Sequence, residues 1–568
     1  LIGEDDSSSL RQADGFSRVS PIMTSLSGVV AEASIGGGTT GLIRVYRSTP
    51  GQGVGTAVPL RLRTLVQRGT GVVDTLVIAN PLTPFEPATD YVAVLMDSAQ
   101  VTEGPMPTAS ALTRVSLGLA PATTGTEARY FAYHAPTRET LMRAGVDLAH
   151  VVRAWDFTTR SAEDPLRTLR AMHASSVAAS RANSYAVVID RTVIHDMGPI
   201  AVEVEGRLTG LPDYLDHAAQ TVARDAAGAP RMTGTHEAPF RVSIPRGMGN
   251  YRIIMFGHGL GGNFNDTSFD NDIAMAGAAK VGVRFVGFTD LDVTDTIAGM
   301  VRVAAGSDWA VSLAMQSIAD AAAIQYALQG RLGDTLSAPM LGAMSNPAMG
   351  RRPDLSHATW AGGSLGGTLG YVYSQLESSI EGAVLNVPGA GWSQYLVLSE
   401  VFSLARTILL TTYRNDVNLQ VGVAVAQNNF DGMDGANWWT VPMSRRPPVL
   451  IQQSMGDTVL PAPGTEMVAT TAHAQQLGAA LSMVYGVTPA MGPSVTMGAA
   501  FTQFRVPASV TGSLNIHGFG ARDTPAGFAA REQIFSFIQS IWAGSPRVTL
   551  PSLCVMNMPA NSCDFSAR

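Results

Sequence analysis

Hydrophobic positions fall into two rhythms along this chain, and the change comes near residue 126. From residue 26 to 125 short stretches alternate apolar and polar positions: "LIRVYR" (42–47), "PLRLRTLV" (59–66) and "DYVAVLMDS" (90–98). Gly- and Pro-rich stretches separate them, as in "SIGGGTTG" and "STPGQGVG". Period-two alternation between such punctuation predicts strands, and the region reads as an all-β domain, a sandwich. The opening residues, 1–25, are polar at first and read as a flexible segment or tether.

From residue 126 to 568 helical periodicity alternates with continuous apolar runs. "YRIIMFGHG" (251–259) predicts a buried strand breaking into glycines, "NDIAMAGAAK" (271–280) a helix, and "VRFVGFTD" (283–290) a further strand. Residues 307–330 read as a long helix, with Val311, Met315, Ile318 and Ala322 at helical spacing. "ATWAGG" (358–363), "GAVLNVPGA" (382–390), "PVLIQQSMGD" (448–457) and "SLNIHG" (513–518) continue the strand series. Strands alternating with helices predict a mostly parallel α/β sheet with both faces covered. The rhythm breaks at 391–446, where an apolar helical stretch and "FDGMDGANWWTVP" read as an inserted cap or lid.

Composition narrows the field. Among 568 residues, 46% are hydrophobic and 15% charged, enough apolar surface for a large core. Lys and Arg total 38 against 45 Asp and Glu, without a basic stripe interleaved with aromatics, so nucleic acid is not an expected partner. No uninterrupted apolar run reaches the roughly 18 residues of a membrane span. The absence of an initial methionine is read as a mature or trimmed chain whose export signal has been removed. Cys554 and Cys563, the two cysteines, stand close together in the tail 546–568. A disulfide loop in an oxidising compartment is the simplest reading, two unpaired thiols the alternative.

The chemistry centres on Gly362-Gly363-Ser364-Leu365-Gly366, a G-x-S-x-G pattern between a strand and a helix marked by Leu365, Leu369, Val372 and Leu376. With 58 glycines in the chain the match alone decides nothing. A serine hydroxyl needs a base within reach and donors where negative charge develops. A glycine-rich turn, Gly257-His258-Gly259-Leu260-Gly261-Gly262, follows an earlier strand and can aim N–H groups at an oxyanion. As a dinucleotide loop it lacks the full G-x-G-x-x-G and an acidic partner. Asp457 and His517 each follow an apolar run, in the order Ser, Asp, His. Separately, Asp457 reads equally as a helix cap and His517 as a surface residue; together with Ser364 and the glycine turn they form one constellation. Asp431, Asp434 and Asp523 fit the order or topology less well as the acid. His473 reads as structural in a helix, and His258 as a prop for the glycine turn. The acidic "NFNDTSFDND" (263–272) lacks EF-hand spacing and reads as a capped helix start rather than a calcium loop.

These motifs, "GHGLGG", "GGSLGG", "GDTVLP" and "IHGFG", resemble those of α/β-hydrolases, specifically secreted bacterial lipases and esterases of the virulence-factor-lipase type with an N-terminal β region. "NPLTPFEPATDYVAVL" (80–95) is similar to late strands of bacterial immunoglobulin-like modules. The resemblance implies Ser364 as nucleophile, His517 as base and Asp457 as orienting acid. It also implies oxyanion N–H donors from Gly259, Leu260 and Leu365. The expected function is a carboxylesterase or lipase acting through an acyl-enzyme on apolar esters, without metal or cofactor, secreted or at the cell surface. Trp392, Trp438 and Trp439 would line an acyl pocket, or simply pack the cap. Amide or peptide hydrolysis, or a binding protein with a vestigial hydrolase domain, are the alternatives.

Overall fold

Two antiparallel sheets account for the alternating stretches early in the chain. One pairs Ile22–Ser27 with Val72–Pro81, which pairs in turn with Leu60–Gly69. The other runs Ala57–Val58, Ile43–Arg47, Asp90–Met96, Val151–Thr158. Ile43, Val45, Val77, Phe85, Val92 and Val94 lie in their common core, each at most 1% exposed. The computed structural model describes residues 8–51, 53–69, 72–438 and 446–567. Its contacts divide the chain into two units, one holding Leu10–Pro165 with Arg406–Asn428, the other Leu166–Ala405 and Asn429–Arg568.

The first unit departs from the expected 26–125 at both ends. Val151–Thr158 pairs along the whole of Asp90–Met96, so this unit runs on to Pro165. It is not all-β: helices Ala111–Ser116, Gly125–Tyr133 and Ala135–Arg143 belong to it. Residues from Leu10 onward, expected to be flexible, are held in place. Phe16 bridges Thr159, Ser17 N–H donates to Asn428 Oδ1 at 2.9 Å, and Ser20 Oγ donates to Ala424 O at 3.0 Å. Residues 1–7 lie outside the described part. The expected cap is helical, with helices Trp392–Tyr395, Glu400–Tyr413, Asp416–Phe430 and Gly435–Trp438. Its residues Arg406–Asn428 group with the first unit rather than with the sheet that the cap interrupts.

The second unit is built on an eleven-stranded sheet. Its strands in chain order are β1 (Ala186–Ile194), β2 (Ile200–Asp213), β3 (Gly234–Pro245), β4 (Tyr251–Gly257), β5 (Ala278–Val283), β6 (Pro353–Gly363), β7 (Ile380–Asn386), β8 (Val449–Ser454), β9 (Gln475–Gln476), β10 (Thr488–Pro489) and β11 (Ala499–Phe504). Their spatial order is β1-β2-β3-β5-β4-β6-β7-β8-β11-β9-β10. β1, β2, β3 and β5 pair antiparallel; from β5 to β10 the pairing is parallel. β4, β5, β8 and β11 are buried almost without interruption, because helices α1 (Asp270–Met275), α2 (Val303–Ala327), α3 (Leu365–Leu376), α4 (Ala462–Thr471), α5 (Ser513–His517) and α6 (Pro525–Trp542) accompany them.

Topology selects one edge of this sheet. The chain leaves β4 for β5 on one side and then returns to β6 on the other, so its direction of progress reverses between β4 and β6. A crevice opens outside the carboxyl ends of strands at such a switch point. After a register shift between Arg252 and Ile254, β4 and β6 pair to the end of β4, with Gly257 opposite Gly362, the last residue but one of β6, which brings the turn after β4 beside Ser364.

Two expected elements moved. The strand expected at 283–290 is the earlier β5, and residues 284–290 form loop and turn. Residues 513–517, expected as a strand, form the short helix α5; the strand before it is β11. The tail is ordered: Val548–Thr549 pairs with Ser494–Val495, and Cys554 and Cys563 form a disulfide.

Candidate active site

Ser364 stands where β6 turns into α3, at φ 57° and ψ −121°, a backbone geometry that non-glycine residues rarely adopt. The turn is tight enough to exclude side chains beside it. A Cβ on Gly366 would lie 1.9 Å from Gly257 O, and one on Gly362 2.5 Å from the Gly366 carbonyl. The Ser364 N–H donates to Asn386 O at the end of β7, 2.9 Å away, and Trp360 Nε1 donates to Gly366 O at 3.0 Å. These bonds fix both arms of the turn.

Asp457 follows β8 and His517 ends α5. The His517 Nδ1 lies 2.7 Å from Asp457 Oδ2, with both side chains buried. The other oxygen, Asp457 Oδ1, accepts the N–H groups of Val459 and Leu460 at 2.9 and 3.0 Å. With both oxygens engaged, the carboxylate has one orientation, and it presents Oδ2 to the imidazole. Ser454 Oγ donates to Ile516 O at 2.7 Å, tying α5 to the end of the strand that carries Asp457. Among the described residues, the Ser364 hydroxyl and His517 Nε2 have no hydrogen-bond partner, so the serine–histidine contact is not made in this conformation.

The turn after β4 packs against Ser364, and a Cβ on Gly259 would lie 3.7 Å from Ser364 Cβ. His258 is buried behind it. The Phe285 N–H donates to His258 Nε2 at 3.0 Å, which leaves the ring proton on Nδ1, 2.7 Å from Gly259 O. Burial holds the His258 pKa below the ordinary value, although the Gly259 carbonyl acts the other way, and so favours this neutral tautomer. Among the described residues, the N–H groups of Gly259, Leu260 and Leu365 have no hydrogen-bond partner.

The remaining candidates separate. Asp434 is fully buried and accepts the N–H groups of Gly391, Trp392 and Ala436; burial raises its pKa to about 6. It anchors the loop after β7 and has no bond to His517. Asp431 accepts from Asn437 Nδ2, and Asp523 pairs with Arg531 at the surface. His473 lies beyond the end of α4, at φ 50°, not within a helix. Trp392 and Trp438 are 6% and 1% exposed: Trp392 packs on Phe430, and Trp438 Nε1 donates to Gly432 O. They pack the interior rather than line an open pocket; Trp439 lies outside the described residues. Among the described residues no three His, Cys, Asp or Glu side chains converge on a metal position. In the acidic segment after the glycine turn, Asp270 instead binds Arg241 at 2.6 Å and Lys280 at 3.0 Å.

No family model matches the chain, and no curated protein matches it. Among solved structures it is similar to acetyl xylan esterase 1 from Thermoanaerobacterium sp., at 14% identity over 60% of this chain and 86% of that one, with a TM-score of 0.36. An acylaminoacyl peptidase in complex with Z-Gly-Gly-Phe-chloromethyl ketone matches at 12% identity over 62% and 48% of the two chains, TM-score 0.36. A glucuronoyl esterase from Teredinibacter turnerae matches at 12% identity over 67% and 90%, TM-score 0.32. Likenesses of this depth carry no argument about activity.

Proposed function

We propose that this protein is a serine-dependent carboxylic ester hydrolase, with Ser364 as nucleophile, His517 as base and Asp457 as the acid that orients it. The observation that carries the reading is the 2.7 Å bond between His517 Nδ1 and Asp457 Oδ2, made by two buried side chains. A buried imidazole with its Nδ1 proton held by a carboxylate presents Nε2 as a proton acceptor. In this reading the serine–histidine contact closes when substrate fills the crevice, as catalytic hydrogen bonds often do.

The Ser364 oxygen attacks the ester carbonyl while its proton passes to His517 Nε2. Asp457 stabilises the imidazolium, and the N–H groups of Gly259, Leu260 and Leu365 receive the oxyanion. His517 then protonates the leaving alcohol, and water attacks the acyl-enzyme by the same route. Leu260 is 41% exposed in the glycine turn, and Leu514, 70% exposed, stands three residues before His517. Apolar surface at both catalytic loops supports esters with an apolar acyl group. The disulfide supports an oxidising compartment, secreted or periplasmic.

The test is Ser364→Ala, assayed with nitrophenyl esters and with a fluorophosphonate probe, alongside a circular dichroism spectrum. A folded variant that loses both turnover, by roughly a thousandfold or more, and labelling supports the assignment. Retained turnover removes it.

A further inference from the structure

One half-buried amide, Asn386, and two buried ones, Gln452 and Gln533, form a chain under the carboxyl ends of β6, β7 and β8 that starts at the serine turn. Asn386, the last residue of β7, accepts the Ser364 N–H through its backbone carbonyl at 2.9 Å. Its Nδ2 donates to Gln452 Oε1 at 2.9 Å. A Cβ on Gly520 would lie 3.2 Å from the same Nδ2, so the Asn386 amide also abuts the turn three residues after His517. Gln452 is wholly buried, and its Nε2 donates to Ala530 O at 3.1 Å and to Gln533 Oε1 at 3.0 Å. Gln533, equally buried on α6, donates to Thr502 Oγ1 at 2.9 Å and to Thr549 O at 3.2 Å.

The direction of this chain is fixed by its end. The Ala530 carbonyl can only accept, so Gln452 must turn Nε2 toward α6 and Oε1 toward Asn386. Asn386 must then turn Nδ2 toward Gln452. Buried amides are expensive unless every partner is met, and an apolar filling would serve packing alone better. What the amides add is a defined spacing between three loops: the serine turn, the segment after β7 and the histidine turn.

We propose that Asn386 is a positioning residue for Ser364, and that Gln452 sets its orientation. The inference rests on Ser364 being the nucleophile. Displacements of about 1 Å remote from the reacting atoms reduce rates by up to about a hundredfold, so loosening this spacing acts on chemistry before it acts on binding.

The experiment compares Asn386→Ala and Gln452→Met with Gln453→Met as the control. Gln453 is the next residue of β8, also buried, and its side chain bonds Gln503 without touching the Asn386 chain. Measured are the second-order rate of fluorophosphonate labelling at Ser364, and kcat and KM on nitrophenyl acetate. Asn386→Ala and Gln452→Met are expected to label and turn over about tenfold more slowly with KM within twofold of wild type, while Gln453→Met stays within twofold on every measure. Gln452→Met decides the question where Asn386→Ala fails to fold. Wild-type labelling rates in folded Gln452→Met, or an equal loss in Gln453→Met, overturn the proposal. A wild-type protein that does not label at Ser364 overturns the nucleophile reading itself, and this inference with it.

Discussion

Ser364 is held at positive φ by its surroundings, and a residue in that region costs on the order of 1–3 kcal/mol unless the rest of the fold fixes it. His258 is one of the groups that fix it. Its ring joins Phe285 N–H to Gly259 O, so the glycine turn beside Ser364 is braced from behind. Replacing His258 by Ala leaves the Phe285 N–H buried and unpaired, and leaves Gly259 O with the Gly262 N–H alone. The expected result is a fall in kcat of about tenfold to a hundredfold with KM little changed, as for a weakened oxyanion donor; steady-state kinetics on a nitrophenyl ester measures it. At this scale Ser364, Asp457 and His517 could be picked out of the sequence as candidates, since each sits in a short motif at the end of an apolar run, and the structure brings His517 and Asp457 together. Asn386 and Gln452 were not. An Asn ending a strand and a Gln inside one carry no local signature, and their side chains bond partners 66 to 81 residues away.

Between elements, two part-buried histidine–carboxylate pairs, one joining a helix to the sheet and one joining two helices, make stability depend on pH in opposite senses. His236 on β3 meets Asp320 on α2 at 2.9 Å. Burial works against its charged form, but the Asp320 carboxylate outweighs burial and raises the His236 pKa to about 8. This contribution is fully present below the ordinary histidine value of about 6.5 and is lost as pH rises through 8; it amounts to about 2 kcal/mol. Glu377, just beyond α3, pairs with His173 on the helix Arg167–Arg181. Burial alone would raise its pKa, yet His173 and the hydroxyl and N–H of Ser379 hold it at about 2. That contribution is present above the ordinary glutamate value and is lost as pH falls toward 2. The thermal midpoint is therefore expected to be level between about pH 4.5 and 6.5 and to fall on both sides. In Asp320→Asn the fall on the alkaline side should flatten; an unchanged alkaline limb would show that this pair is not its source. The sequence marked most of these elements by periodicity but misplaced β5 and α5. The stretches 278–290 and 499–517 each hold short apolar runs broken by polar residues, and such short runs do not distinguish strand from loop or short helix.

For the whole molecule, the parallel half of the sheet and the order of its motifs followed from the alternation of strand and helix patterns. The extent of the first unit did not, because Val151–Thr158 joins its sheet from beyond three helices, a pairing that no local pattern announces. The C-terminal segment adds a covalent element to this architecture. Cys554 and Cys563 close a loop of nine residues' separation, which by chain entropy stabilises the fold by about 2–3 kcal/mol. The Cys554→Ser, Cys563→Ser double variant should unfold at lower temperature and lower denaturant concentration than the wild type; equal midpoints would show that packing alone holds the segment.

That segment also touches the loop that leads to the histidine: the Phe565 N–H donates to Arg505 O at 2.9 Å, and Asp564 pairs with Arg505 at 2.6 Å. The ribosome makes Arg505 and His517 before it makes either partner. A nascent chain can thus carry all three candidate catalytic residues while the brace on its histidine loop is still unmade. Synthesis itself imposes an order in which the chemistry is present in sequence before it is present in space.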